Sequence, residues 1–413
     1  MENALAQKAT VDLRAVRYLT YLMFFMFAMT TDSVGLIIPQ VITEFGLSLT
    51  VAGSLHYGSM SGIAGAGLLL GFLADRLGRK RTILLGLGLF SATSYLVPLT
   101  HSFGEVLALI VLAGIAIGIF KAAAVALVAD ISRSTTELTS TMNLVEGFFG
   151  LGAIVGPLLL AELVAQGVSW RWLYAIAGTL CLLLIVLSMG ARYPVTTSIG
   201  TPGTGSLRGT GHLIRDRYAM GFSAAAFVYV AVECAIYVWM PTLLSGFKGD
   251  GARWITYALP AFFAMRAAGR FLGAWLLRRF DWARAIAICS AAIFLCFASS
   301  VAGGVGVALY LLPISGLFMS ILYPTINSKG VGCFPPSEQG AVAGIILFFT
   351  CAGAVLGPLT MGLVSDAFGG AATGFVLATV MAGLLALGLA LNAILQPASS
   401  QLARFVTTTH TPS

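Results

Sequence analysis

Long apolar stretches separated by short polar segments run through the whole chain. Only helices and closed barrels satisfy the backbone polar groups in lipid, and these stretches are too long and too uniformly apolar for the alternating strands of a barrel. A helix needs about 20 apolar residues to cross a membrane. The pattern therefore predicts an all-α integral membrane protein with twelve transmembrane helices, at 17–43, 50–75, 82–100, 103–131, 138–166, 170–192, 217–246, 252–279, 283–301, 304–328, 337–365 and 370–395.

The longest internal polar stretch divides the twelve helices into two sets of six. Residues 193–216 are rich in Gly, Thr, Ser and Pro, which predicts a flexible linker on the cytoplasmic side. The linker separates an N-terminal half (1–192) from a C-terminal half (217–396), and residues 397–413 are expected to form a cytoplasmic tail.

The two halves repeat each other at a nearly constant distance in sequence. The motif Gly-Ala-Ile-Val-Gly-Pro at 152–157 returns as Gly-Ala-Val-Leu-Gly-Pro at 353–358, 201 residues later. Asp32 and Glu233 lie the same distance apart, and each precedes a proline in the first helix of its half. We therefore expect two pseudo-symmetric six-helix repeats with a binding site between them, which is the plan of a transporter.

Basic residues collect on one side of the predicted bundle. With the N-terminus in the cytoplasm, only Arg171, Lys248 and Arg253 fall on the outer side. This asymmetry predicts that both termini are cytoplasmic, in a bacterial inner membrane. The cytoplasmic side carries Lys8, Arg14, Arg17, Arg76, Arg79, Lys80, Arg81, Arg133, Arg192, Arg208, Arg215, Arg217, Arg278, Arg279, Arg284 and Arg404.

Composition excludes several classes of protein. Apolar residues make up 58% of the 413 residues and charged residues 9%, against about 25% charged in soluble domains. A soluble enzyme and a disordered chain are both excluded. The net charge of +7 is accounted for by the topology signal and does not point to nucleic acid. The six cysteines are scattered without metal-ligand spacing, so we expect neither a metal nor a cofactor.

The segment 71–81 (Gly-Phe-Leu-Ala-Asp-Arg-Leu-Gly-Arg-Lys-Arg) resembles the loop 2–3 signature of the major facilitator superfamily. The resemblance implies a carrier rather than an enzyme, with rocker-switch motion and helices 1, 4, 7 and 10 lining a cavity. It also implies a cytoplasmic gate, in which Asp75 faces the N-terminus of helix 11 and Arg79 pairs with Asp130. The gate residues are Gly71, Asp75, Arg76, Gly78, Arg79 and Asp130.

Three further stretches resemble the fucose/galactose/glucose proton symporter branch of that superfamily. They are 31–39 in helix 1, 229–241 in helix 7 and 318–328 in helix 10. The resemblance implies proton-coupled uptake of a sugar. Lys121 departs from the branch, which carries a glutamate there, so the substrate does not carry over directly.

Ionisable residues at membrane depth indicate function because they are costly there. We assign proton coupling to Asp32 and to its counterpart Glu233. A fixed ion pair with Lys121 is the alternative for Asp32, and a contact to substrate hydroxyls or a structural role is the alternative for Glu233. The partner of Lys121 is left open between Asp32, Glu146 and an anionic substrate such as a sugar acid. The predicted substrate-binding residues are Lys121, Asn143, Glu146, Tyr237, Arg266, Tyr323 and Asn327.

Two functions remain in competition. The first is proton-coupled symport of a sugar or sugar acid by a monomer whose partners are the solute, the proton and the lipid bilayer. The second is an efflux antiporter for a drug, a siderophore or another organic anion, because residues 152–157 partly resemble an antiporter signature. The same motif in the other half favours a repeat feature instead. A membrane enzyme or receptor lacks any supporting motif.

Overall fold

The computed structural model describes residues 13–132, 134–194, 212–249, 251–398 and 401–402, and within these ranges it contains helices and no strand. Most of the predicted linker, 195–211, and most of the predicted tail lie outside the described residues. The prediction of an all-α fold is confirmed.

Eight α-helices precede the linker and eight follow it in the described ranges. The first eight are α1 (Leu13–Thr31), α2 (Val34–Phe45), α3 (Leu49–Leu70), α4 (Leu73–Arg76), α5 (Arg79–Leu96), α6 (Phe103–Ile131), α7 (Thr135–Ala165) and α8 (Trp172–Gly190). The others are α9 (Arg217–Cys234), α10 (Met240–Leu244), α11 (Ala258–Arg279), α12 (Trp282–Gly303), α13 (Val305–Met319), α14 (Leu322–Gly332), α15 (Pro336–Phe368) and α16 (Ala371–Leu395). A π-helical segment, Ala235–Trp239, joins α9 to α10.

Ten helical segments among the described residues are long and apolar enough to cross a membrane. Helices α3 and α11 are not among them, although each has 22 residues and is about 33 Å long. Ser, His and Gly residues lower the hydropathy of α3, and Arg266 and Arg270 lower that of α11. Counting these two as crossings would give the predicted twelve, and that number stays a prediction.

Side-chain caps begin several of these helices. Ser102 and Glu105 form a capping box at the start of α6, in which the Ser102 hydroxyl accepts from the Glu105 amide. Asp216 caps α9 and Asp281 caps α12, each by accepting two backbone N–H groups. Such caps satisfy amide groups that have no partner within the helix.

The chain divides into two compact units. Unit 1 comprises Met1–Val41 and Ser54–Gly200, and unit 2 comprises Ile42–Gly53 and Thr201–Ser413. Unit 2 therefore includes a short segment that the sequence places in the N-terminal half. Within unit 2, the Asp366 carboxylate accepts from the backbone N–H of Leu49 and of Thr50, at 2.8 Å each, and so caps the start of α3.

The same helix pairs recur inside the two units. In unit 1, α1 packs on α7, and α5 packs on α6 and α8. In unit 2, the corresponding pairs are α9 on α15, and α12 on α13 and α16. The packing therefore repeats along with the sequence.

The repeated glycine motif lies at one of these recurring contacts. A Cβ atom at Gly156 would collide with the backbone of Met29 in α1, and one at Gly357 would lie 2.6 Å from the side chain of Ala231 in α9. Both glycines let two helices approach closely, just before Asp32 and Glu233. This common packing role favours the repeat interpretation of residues 152–157.

The predicted helices 1, 7 and 10 are interrupted rather than continuous. Helix 1, predicted over 17–43, breaks between Thr31 and Val34, so Asp32 lies in the break and not in the middle of a helix. The hydroxyl groups of Thr31 and Ser33 donate to the carbonyl groups of Phe27 and Met29. Such side-chain bonds compete with the helical ladder and bend helices, which accounts for this break.

Prolines account for the other two interruptions. Pro241 cannot donate a helical hydrogen bond, and the π-helical segment directly precedes it in helix 7. Pro324 lies in the first turn of α14, so helix 10 restarts at Leu322 instead of continuing from Met319. Two of the four helices that the family resemblance places at the cavity thus restart at a proline.

Candidate functional site

A carboxylate, a guanidinium and a phenol form a closed network inside unit 2. The Arg266 Nη2 atom lies 2.9 Å from Glu233 Oε1, and the Tyr229 hydroxyl lies 2.8 Å from the same oxygen. Glu233 and Arg266 come from α9 and α11, so the structure brings together two residues that the sequence predicted separately. Tyr229 lies one turn before Glu233 and was not among the predicted site residues, although it stands in the helix 7 stretch that carries the resemblance.

The interruption of helix 10 supplies a third partner to this network. The Tyr229 hydroxyl also lies 2.9 Å from the carbonyl oxygen of Met319, the last residue of α13. Tyr229 is 1% exposed, so its hydroxyl depends on these partners for hydrogen bonding. The broken helix therefore has a direct role in holding the tyrosine and, through it, the carboxylate.

The two ions of the pair differ in exposure. The Glu233 side chain is 8% exposed and the Arg266 side chain is 38% exposed. A buried carboxylate that is bonded by an arginine and a tyrosine is held in place, whereas the arginine side chain is partly accessible. Because a guanidinium has five N–H donors, Arg266 can bind a second anion while it keeps Glu233.

Two aromatic rings lie one helical turn from this pair. Tyr237 follows Glu233 by four residues and Phe263 precedes Arg266 by three. Their rings stack with centroids 6.3 Å apart, and the Tyr237 hydroxyl lies 2.7 Å from the Cys234 sulfur. Tyr237 is half-buried, so part of its surface is accessible beside the arginine.

The predicted charged residues of unit 1 have different surroundings. The Asp32 carboxylate lies 3.0 Å from the Thr31 hydroxyl in the break between α1 and α2, and it shares the single proton of that hydroxyl with the Phe27 carbonyl. The Lys121 ammonium lies over the ring of Phe149, 4.9 Å from its centroid. An ammonium on an aromatic face is stabilised by the ring quadrupole.

The remaining predicted site residues divide by exposure. Asn143 and Glu146 are exposed on α7, and no described cation lies within ion-pair distance of Glu146. Glu146 is therefore not the ion-pair partner of Lys121. Tyr323 and Asn327 are half-buried on α14 and, four residues apart, lie on one helix face.

The gate segment contains the ion pair that the family resemblance implied. Arg79 Nε lies 2.8 Å from Asp130 Oδ2, and Arg79 Nη1 lies 2.7 Å from Asp75 Oδ1. Gly78 has φ +83°, a conformation that side chains rarely adopt, and it directly precedes α5. The predicted pairing of Arg79 with Asp130 is confirmed.

The other two gate residues lie at the turn that leads to this ion pair. Arg76 lies over the Phe72 ring, with Cζ 5.1 Å from the centroid, and Gly71 occupies the turn after α3.

Trp239, the last residue of the π-helical segment, is 2% exposed and donates from Nε1 to the Pro358 carbonyl at 3.0 Å, so it packs inside unit 2. Within the described ranges there is no group of three His, Cys, Asp or Glu side chains that could hold a metal ion.

Comparison with known proteins places this chain among transporters. The chain is 26% identical to a gallate transporter of Pseudomonas putida over 366 residues, with 80% of each chain covered. It is also 26% identical to the L-fucose–proton symporter of Escherichia coli over 387 residues, covering 84% of this chain and 86% of the symporter. The fold is similar to that of the nucleoside transporter NupG, with a TM-score of 0.72 at 13% identity, over 91% of this chain and 97% of NupG.

The family model settles the classification. The model of the Major Facilitator Superfamily matches residues 20–358, which is most of the chain, and the relatives are transporters rather than enzymes. The expectation drawn from residues 71–81 is thereby confirmed. This chain belongs to the Major Facilitator Superfamily and is a multi-pass membrane transporter of small molecules.

Proposed function

We propose that this protein is a proton-coupled symporter of a polar organic solute, a sugar or an organic acid, in a bacterial inner membrane with both termini in the cytoplasm. The single observation that carries the proposal is the placement of ionisable residues at interrupted helices: Asp32 lies in the break of helix 1, and Glu233 lies directly before the π-helical segment of helix 7. In transporters, discontinuous helices form the sites for substrates and coupling ions.

Asp32 is the proposed proton carrier. It lies in the break of helix 1, and its side chain is partly exposed, so a proton can reach the carboxylate. Glu233 is bonded to Arg266, so its protonation would break an ion pair. The geometry therefore favours Asp32 as the group that loads and releases the proton, and Glu233 as the group that holds Arg266 in position.

Arg266 is the proposed contact for a substrate carboxylate in unit 2, and Lys121 stays the candidate that the sequence offers in unit 1. The partly accessible Arg266 side chain can take a second anion beside Glu233. The neighbouring Tyr237 and Phe263 rings suit the flat apolar face of a sugar or an aromatic acid. The resemblance to both a fucose symporter and a gallate transporter agrees with a solute that combines hydroxyl groups with an acid or a ring.

Arg79 is the proposed centre of the cytoplasmic gate. It binds Asp75 and Asp130 at once, so from the start of α5 it joins α4 to the end of α6. If the segment that contains Asp75 and Arg79 moves during alternating access, the contacts of Arg79 with Asp75 and Asp130 would have to be exchanged for others. We further propose that the transporter acts as a monomer.

Export is the weaker candidate. The glycine-proline motif that partly resembles an antiporter signature packs α7 against α1, and its repeat packs α15 against α9. A motif with the same packing role in both units does not point to one direction of transport.

Proton movement tests the proposal. The protein is reconstituted in liposomes that contain a pH dye, and neutral sugars, sugar acids and hydroxybenzoates are added outside. We expect internal acidification with one class of solute, none with Asp32→Asn, and full acidification with Asp281→Asn, which keeps its helix cap. Acidification by none of the solutes, or undiminished acidification by Asp32→Asn, would contradict the proposal.

A further inference from the structure

A long groove opens on unit 2, away from the residues assigned to transport. It has a volume of about 760 Å³ and lies between α9, α12 and α16. On α9 it runs from Arg217 to Val228, a distance of about 17 Å. On α16 it runs from Leu384 to Asn392. Apart from its charged end, the groove is lined mainly by apolar side chains and glycines.

The charged end of the groove coincides with the ends of two candidate membrane spans. Arg217 is the first residue of the span Arg217–Leu244, and Pro397 follows the last residue of the span Ala371–Leu395. The groove therefore begins at a membrane interface and extends into the depth of the hydrocarbon. An Arg and a Tyr at this level match the usual anchors of a membrane boundary.

The Arg217 guanidinium is held in place at this end. Its Nη2 atom donates to the Tyr218 hydroxyl at 2.9 Å, and the Tyr218 hydroxyl donates to the Pro397 carbonyl at 3.2 Å. Arg217 itself is exposed, and in the described ranges no carboxylate lies within ion-pair distance of it. The neighbouring Asp216 is engaged in capping α9.

This arrangement indicates the charge of a molecule that could bind in the groove. A fixed, exposed guanidinium at the end of an apolar groove fits a molecule with an anionic head and an apolar tail. Neither 195–211 nor 399–413 contains an Asp or a Glu, so these segments of the chain cannot supply a side-chain anion to Arg217. The lipid around the protein can supply both parts.

We propose that this groove is a binding site for an anionic phospholipid, with the lipid phosphate on Arg217 and one acyl chain along α9 and α16. The site is independent of the proposed solute and proton sites, since it shares no residue with them. A lipid held there would fill the space between three helices of unit 2.

Two glycines allow the apolar part of the site to be filled without disturbing the protein. Gly221 and Gly388 both line the groove, and a Cβ atom at either would meet no atom within 4 Å. Leucine is also a better helix former than glycine. Gly221→Leu and Gly388→Leu should therefore occupy the groove and leave the fold intact, and Gly88→Leu on α5, which is equally open, is the matched control.

Native mass spectrometry tests the proposal on the full-length protein. The protein is equilibrated with equal amounts of phosphatidylglycerol and phosphatidylcholine that carry the same acyl chains. We expect a preference for phosphatidylglycerol that Arg217→Gln lowers about fivefold, which corresponds to about 1 kcal/mol for one arginine at a membrane surface. Arg217→Lys should fall between the two. Arg278→Gln, which removes a charge elsewhere, should keep the preference.

The other variants separate the possible occupants. Gly221→Leu and Gly388→Leu should reduce bound lipid of both kinds, and Gly88→Leu should not. Equal binding of the two lipids by the wild type, or an Arg217→Gln ratio equal to that of Arg278→Gln, would overturn the proposal. It would also be overturned if inorganic phosphate displaced the lipid, or if truncation after Leu402 raised lipid binding several-fold, since the latter would identify the tail as occupant. Size-exclusion profiles establish that each variant is folded.

Discussion

The two units hold their membrane-depth cations in different ways. In unit 2, Arg266 is paired with the buried carboxylate of Glu233, and Tyr229 secures that carboxylate to the broken helix 10. In unit 1, Lys121 lies over the Phe149 ring, and Asp32 lies in a helix break with a hydroxyl donor. The acid of unit 2 is buried beside an arginine, and the acid of unit 1 is partly exposed at a helix break.

This difference shows how a duplicated unit can divide its work. The backbone scaffold repeats, because the glycine motif packs on the first helix of both units. The acids at equivalent positions nevertheless differ in setting, since Glu233 is buried next to Arg266 and Asp32 is partly exposed in a helix break. The proposed function gives Glu233 the task of positioning Arg266 and gives Asp32 the task of exchanging the proton.

The largest expected effect on stability comes from breaking the fixed pair. Glu233→Gln and Arg266→Gln should each lower the free energy of unfolding by about 1–3 kcal/mol, less than for a fully buried pair because the Arg266 side chain is 38% exposed. The double variant should recover at least about 0.5 kcal/mol of the summed loss, measured by unfolding in detergent. Additive losses would mean that the two residues do not act as a pair.

An effect of similar size tests whether the scaffold is equivalent in the two units. Gly156→Ala and Gly357→Ala place a methyl group against another helix and should each cost about 1–3 kcal/mol. Gly150→Ala and Gly344→Ala are matched controls, because a Cβ atom at either position meets nothing within 4 Å. The controls should be neutral or stabilising by up to about 1 kcal/mol. If Gly156→Ala left the free energy of unfolding unchanged while Gly357→Ala lowered it, the two glycines would not share one packing role.

A smaller effect is expected from the tyrosine that links Glu233 to helix 10. Tyr229→Phe removes the one O–H donor that Glu233 and the Met319 carbonyl share and should cost about 1–2 kcal/mol, since the hydroxyl and its acceptors are buried. Tyr237→Phe is the control, because its hydroxyl contacts a weakly bonding sulfur. The melting temperatures of the two variants are compared by thermal unfolding. Equal decreases in melting temperature would argue against a specific role for Tyr229.

The smallest expected effect concerns the gate. Arg79→Lys keeps the charge but cannot reach Asp75 and Asp130 with separate N–H groups as a guanidinium does, so it should lose about 0.5–1 kcal/mol. Arg278→Lys controls for the substitution itself. Transport rates should change more than substrate affinity, and an altered affinity with an unchanged rate would place Arg79 outside the gate.

Much of this architecture could be predicted from the sequence because hydrophobic length and spacing encode it. The helix 103–131 was predicted with the bounds that α6 has, and the Arg79–Asp130 pair followed from the family resemblance. The helix interruptions also have signals in the sequence, although the helices were predicted as continuous. Pro324 and Pro241 remove helical hydrogen bonds, and the run Thr30–Ser33 offers competing side-chain bonds.

The partners within the site were harder to predict. Glu233 and Arg266 lie on different helices, and whether they meet depends on how α9 and α11 rotate about their axes. Helix packing sets that rotation, and the rotation cannot be inferred from the positions of charged residues in the sequence. For the same reason the exposed position of Glu146 was not foreseen.

One measurement tests the division of roles between the two acids most directly. Solute counterflow and solute-driven proton uptake are measured together in liposomes for the wild type, Asp32→Asn and Glu233→Gln. The account predicts that Asp32→Asn keeps counterflow and loses proton uptake, and that Glu233→Gln keeps the wild-type ratio of protons to solute whatever its rate. Wild-type proton uptake by Asp32→Asn, or loss of coupling in Glu233→Gln alone, would contradict it.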